Sequence, residues 1–165
     1  MRLLFALVVT LAGACASAKS SAAPISASPV TSAVPSVSEN FLATYDRLWA
    51  ALPGVYASLG IKVNVADTTT RSVGFAGTVR RKLGVAALST YFDCGRAQTE
   101  IIADSYDLSV IVASQVGRSS EGRLVVSTHA TARARAPQFA HDVALCSSKG
   151  MLERALFDSL RARVR

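Results

Sequence analysis

Residues 106–132, YDLSVIVASQVGRSSEGRLVVSTHATA, decide how this chain is read. Tyr106, Leu108, Val110 and Val112 alternate with Asp107, Ser109 and Ile111. After a turn over Gly117 to Gly122, the alternation returns in Leu124, Val126, Thr128, Ala130 and Ala132. A period of two marks strands with one buried face, so this is a long antiparallel hairpin. Opposed residues on paired strands share a face. Every core-facing candidate here is even-numbered, so the numbers of paired residues must sum to an even value. An odd sum would set core against solvent. The opposite face carries Asp107, Ser109, Ile111, His129, Thr131, Arg133 and Arg135, and it is mixed and more polar.

Outward from this hairpin, Ile61, Val63 and Val65 alternate with polar neighbours, Asp67 to Thr70 makes a turn, and Val73, Phe75, Gly77 and Val79 alternate again. That predicts a second hairpin, closed by the basic loop Arg80-Arg81-Lys82. Val85 to Phe92 is apolar, with a strand expected near Ser89 to Phe92. Upstream, Ser38 is a suitable N-cap with Glu39 behind it, and Phe41, Leu42, Tyr45, Leu48, Trp49 and Leu52 recur at helical spacing. Pro53-Gly54 interrupts that helix. Downstream, Pro137 to Ser148 reads as a connection. Ser147 or Ser148 caps a last helix with the stripe Leu152, Leu156, Phe157, Leu160 and Val164. Arg161, Arg163 and Arg165 sit at its C-terminal end, where cations complement the helix dipole. The expected fold is α+β: a single antiparallel sheet of about four to five strands, with N- and C-terminal helices packed on one face.

The first residues, MRLLFALVVTLAGAC, have a positive Arg2 and an apolar stretch from Leu3 to Leu11, then small residues up to Cys15. This is a secretory signal, too short for a spanning helix. Leu11-Ala12-Gly13-Ala14-Cys15 resembles the lipobox of bacterial lipoproteins, with Ala12 standing where that family usually has Leu. The resemblance implies a signal peptide over 1–14, cleavage before Cys15 and lipidation there, by diacylglycerol on the sulfur and a palmitate-type acyl chain on the amine in many species. A second cleavage reading takes Ala16-Ser17-Ala18 as the site and releases a soluble chain. Residues 15–38 then form an Ala/Ser/Pro-rich tether, because Ser and Pro support no regular ladder and no buried face. The folded domain is 39–165.

The chain has 165 residues, half of them apolar, with 18 Lys+Arg against 11 Asp+Glu. Removal of Arg2 with the leader leaves 17 against 11, a mature charge of +6. Positive charge suits anionic lipid or an acidic partner, while export and the separation of aromatics from basic residues argue against nucleic acid. Arg80, Arg81 and Lys82 are the candidate contact with an anionic surface, together with the arginines of the last helix. Two histidines do not make a metal site: His129 lies on a polar strand face and His141 in a loop. Asp93, Asp104 and Asp107 have no spacing that gathers them. No HExxH, GxSxG, GxGxxG or phosphate-loop pattern occurs. The reading is of no enzyme, no cofactor and no metal.

Tyr91-Phe92-Asp93-Cys94-Gly95 and Cys146-Ser147-Ser148-Lys149-Gly150-Met151-Leu152-Glu153 resemble a pattern in uncharacterised bacterial envelope lipoproteins. The order of helix, antiparallel strands and closing helix is similar in architecture to domains of the BamC-type lipoprotein of the outer-membrane assembly machinery. These resemblances imply a lipid-anchored, non-enzymatic binding or scaffold module at the cell envelope. Its partners would be the membrane, through its lipid, and an envelope protein, and its place the outer membrane facing the periplasm. A periplasm-facing carrier of a small apolar ligand is the alternative, and an unfilled pocket lined by Trp49, Phe75 and Leu108 would favour it. Three cysteines are an awkward number for an exported protein. Lipidation of Cys15 leaves one pair, so a Cys94–Cys146 disulfide is expected, in preference to two buried thiols.

Overall fold

The computed structural model describes residues 36–136 and 142–165. The leader, Cys15, most of the tether and His141 lie outside them. The long hairpin is the centre of the fold. Strands β9 (Asp107–Arg118) and β10 (Leu124–Arg135) pair over twelve residues, from Arg118 opposite Leu124 to Asp107 opposite Arg135. The register is of the even-sum kind. Leu108, Val110, Val112 and Val116 face Ala134, Ala132, Ala130 and Val126 across the ladder, and all eight are buried.

Strand β1 (Ser36–Phe41) leads to helix α1 (Tyr45–Ser58), and the hairpin of β2 (Val65–Asp67) and β3 (Ser72–Arg80) follows. Next come β4 (Lys82–Leu83), β5 (Ala86–Ala87), the one-turn helix α2 (Leu88–Tyr91), β6 (Phe92–Asp93), β7 (Arg96–Ala97), β8 (Glu100–Ile101) and the one-turn helix α3 (Ile102–Ser105). After β9 and β10, β11 (Asp142–Ser148) and α4 (Met151–Val164) end the chain.

The sheet overturns the expectation of four to five strands in a single layer. It has seven, in the order β2-β3-β9-β10-β11-β6 with β1 also on β10, and two further two-stranded ribbons stand apart, β4-β5 and β7-β8. The physical reason is the length of β10. Its outer edge is long enough to hold two strands end to end, β1 along 124–129 and β11 along 132–135. Backbone groups on such an edge need partners, and short neighbouring segments supply them.

Local corrections follow from the same edge. Ser36 to Ser38, read as the end of the tether, belong to β1, and Ser38 caps no helix; its hydroxyl meets that of Ser127 at 2.7 Å. The helix begins later, with Thr44 as N-cap, whose Oγ1 accepts from Arg47 N at 3.4 Å. Glu39 sits in β1 and accepts from Arg161 of α4 through both oxygens, at 2.5 and 2.6 Å, and this raises the guanidinium pKa further. Pro53 does not end α1. It deprives the Trp49 carbonyl of a donor, but Val55 and Tyr56 beyond it are fully buried and hold the last turn in place. Ser89 to Phe92 is mostly helical turn, and the supposed connection before Ser148 contains β11.

The stripe of α4 is as expected, with Leu152, Leu156, Phe157, Leu160 and Val164 all buried. Its N-cap is Gly150, at φ 71, and Ser148 acts two residues earlier. The Ser148 hydroxyl accepts from Gly150 N at 3.1 Å and donates to Glu153 Oε1 at 2.7 Å. Helices α1 and α4 pack together over the even-numbered face of β9 and β10.

Cys94 and Cys146 form the expected disulfide, with Cα atoms 4.1 Å apart. Its placement follows from the ladder: Ser147 pairs with Asp93, and continuing that register sets Cys146 opposite Cys94. The bridge ties the short strand β6 to β11 just before α4.

Candidate functional site

Each aspartate considered at the sequence level is engaged separately. Asp93 accepts from Gly95 N at 2.9 Å, Asp104 from Ser89 N at 2.9 Å, and Asp107 lies 3.8 Å from the Arg80 guanidinium. His129 is half-buried on the odd-numbered sheet face. Among the described residues there is no group of three or more His, Cys, Asp or Glu able to hold a metal, and no helix long and apolar enough to cross a membrane.

The interior holds a polar chain that the sequence reading missed. The Tyr56 hydroxyl lies 3.0 Å from Ser114 Oγ, and Ser114 Oγ lies 2.8 Å from Thr128 Oγ1, all three side chains being buried. Parity was the available signal, since 114 and 128 are both even and directly opposed. Desolvation pushes the Tyr56 pKa up to about 12, against the hydrogen bond to Ser114, with the Glu153 charge adding to the rise. Glu153 is buried too, and its Oε2 has no hydrogen-bond partner.

A raised tyrosine pKa has a definite sign. The folded chain keeps the proton to higher pH than the unfolded one, so stability is full below about pH 10 and falls as pH rises towards 12. Tyr56→Phe is expected to remove part of this alkaline loss, at a penalty of about 1 kcal/mol at neutral pH for the deleted hydrogen bond. Urea melts at pH 7 and above pH 10 check it. An unchanged alkaline slope would show that Tyr56 does not govern it.

Trp49, Phe75 and Leu108, where an unfilled pocket would have favoured a ligand carrier, pack into one core, with Leu108 fully buried. Two open clefts lie at the end of the sheet where β9 turns into β10. There β1 ends with Phe41 opposite Leu124. Phe41 is buried, its ring centroid 6.4 Å from that of Phe157, but Leu42 is fully exposed instead of sharing a helical stripe. Leu42, Ala43, Thr44 and Arg47 form one wall of an open cleft of about 870 Å³, with Arg118, Arg123 and Leu124 opposite.

Each arginine of this cleft has one described partner. Arg47 Nη2 donates to the main-chain oxygen of Arg165 at 2.6 Å, Arg118 Nη1 donates to the Gly122 carbonyl at 3.0 Å, and Arg123 pairs with Glu121. An adjoining pocket of about 360 Å³ holds Tyr45, Asp46 and Arg71, with the Arg71 guanidinium 4.0 Å from the centre of the Tyr45 ring. Arg118 lines both.

The expected basic contact lies elsewhere. Ser72 of β3 stands opposite Gln115 and Arg80 opposite Asp107, so Arg80, Arg81 and Lys82 occupy the other end of the sheet. No protein-family model matches this sequence, and comparison with the curated proteins finds no match.

Proposed function

We propose that this chain is a lipid-anchored, non-enzymatic binding or scaffold module of the bacterial cell envelope, held in the outer membrane and facing the periplasm. The observation that carries the reading is the pairing of Cys94 with Cys146. A structural disulfide belongs to an oxidising compartment. The pairing also accounts for two of the three cysteines, and the third, Cys15, stands directly behind the apolar leader. Two or more acyl chains, each contributing about 0.8 kcal/mol per buried methylene, anchor a protein stably. The packing of Trp49, Phe75 and Leu108 into one core supports a scaffold over a carrier of a small apolar ligand.

Metabolic labelling with an acyl probe tests the anchor: Cys15→Ser is expected to abolish incorporation, and equal labelling of both chains would overturn it. Crosslinking in intact cells tests the scaffold role. Recovery of a specific envelope protein is expected, and recovery of none would count against it.

A further inference from the structure

The end of the sheet at the β9–β10 turn combines an exposed apolar side chain with a group of arginines. Leu42 is fully exposed beside the buried Phe41, on a segment that leaves β1 and caps α1. A single exposed leucine is ordinary. Here it stands in the wall of a cleft that also presents Arg47, Arg118 and Arg123, and among the described residues no acidic side chain lines that cleft. Glu121 pairs with Arg123 just outside it, and Asp46 lines the neighbouring pocket. Arg118 rests on a carbonyl, so its charge is not cancelled by a carboxylate among its described contacts.

We propose that this cleft is the membrane-facing surface of the domain, with Arg47, Arg118 and Arg123 binding the phosphates of anionic phospholipid and Leu42 entering the headgroup boundary. Guanidinium groups match phosphate oxygens in a two-pronged geometry. Basic residues near an anionic bilayer are attracted to it, and an apolar side chain among them adds buried area.

The inference rests on the lipid-anchor reading, which supplies the proximity. A domain tethered to the membrane by a lipid has a high effective concentration at its surface, so a weak site is enough to orient it.

The test uses the chain from residue 15 onward, oxidised, with Cys15→Ser so that no acyl chain contributes. Co-sedimentation is measured with vesicles of phosphatidylglycerol and phosphatidylethanolamine, and with vesicles of phosphatidylcholine alone. Binding to the anionic vesicles only, weakened by salt, is expected. Arg47→Gln/Arg118→Gln/Arg123→Gln is expected to lower the partition coefficient about tenfold or more, and Leu42→Ser severalfold. Arg80→Gln/Arg81→Gln/Lys82→Gln removes the same formal charge and is expected to stay within about twofold of the parent. Circular dichroism confirms that each variant is folded.

Equal losses in the two triple variants would overturn the proposal, since net charge would then explain the binding. So would absence of vesicle binding by the parent, or capture of a protein by a photoreactive residue at position 42 without vesicle binding. Acyl labelling at Cys15 reports separately on the anchor, so failure of one reading is distinguishable from failure of the other.

Discussion

Reduction of the Cys94–Cys146 disulfide is expected to destabilise the domain by about 4 kcal/mol and to lower its melting temperature by roughly 15 °C. The bridged residues are 52 apart, and the segment between them includes the whole β9–β10 hairpin. In the unreduced, unfolded chain that segment remains a closed loop, and its lost entropy no longer favours the unfolded state. Reduction restores that freedom. It also releases β6, whose ladder among the described residues is the two-residue pairing with β11. The loss is a large share of the roughly 5–15 kcal/mol that holds a domain together. Cys94→Ala/Cys146→Ala is the cleaner variant, because both side chains are nearly buried and serine would bring in hydroxyls. Melts with and without reductant, with thiol counts by mass spectrometry, decide the matter. Two reactive thiols in the oxidised protein, or a melting temperature unchanged by reduction, would remove the staple from the account.

The second large effect is expected at Gly84. Its φ is +61, and a Cβ there would stand 2.0 Å from the Leu59 carbonyl oxygen and 3.1 Å from Ile61. That carbonyl already accepts from Val85 N at 3.2 Å, locking the turn after β4 against the end of α1. Gly84→Ala therefore meets two penalties. The left-handed backbone costs about 1–2 kcal/mol, and the overlap adds about 1–3 kcal/mol. Gly122→Ala separates them, since Gly122 has φ +77 and nothing within 4 Å of its Cβ position. Chemical denaturation is expected to show a loss of about 2–5 kcal/mol at Gly84 and only the backbone part at Gly122. Equal losses at the two sites would mean that the contact with Leu59 relaxes freely.

The site was less legible than the fold. Leu42 reads in sequence as one more member of a helical apolar stripe, and it became an exposed wall only because β10 drew residues 36–41 into a strand and delayed the helix to Tyr45. Arg118 and Arg123 flank the hairpin turn, a visible signal. Arg47 joins them only through the packing of α1 beside that turn. The run Arg80-Arg81-Lys82 was conspicuous because its residues are consecutive, whereas the cleft draws its three arginines from separate places along the chain.

By itself, the sequence determined the β9–β10 hairpin and its register parity, strand β3, the buried stripe of α4 and the pairing of two cysteines. The arm before β3, expected at Ile61 to Val65, lies instead at Val65–Asp67, and the expected α1 stripe loses Phe41 to β1 and Leu42 to solvent. The strands and the α4 stripe rest on local periodicity with large apolar side chains, and the cysteine pairing on the count of cysteines. Strands β1 and β11 were decided only by tertiary structure. The core-side positions of β1 are Val37, Glu39 and Phe41, and β11 turns the small Ala144, Cys146 and Ser148 the same way, so neither shows a strong alternation. What makes them strands is the unpaired edge of the twelve-residue β10. Its amide and carbonyl groups require partners wherever water is excluded, and the chain segments lying against them provide those partners.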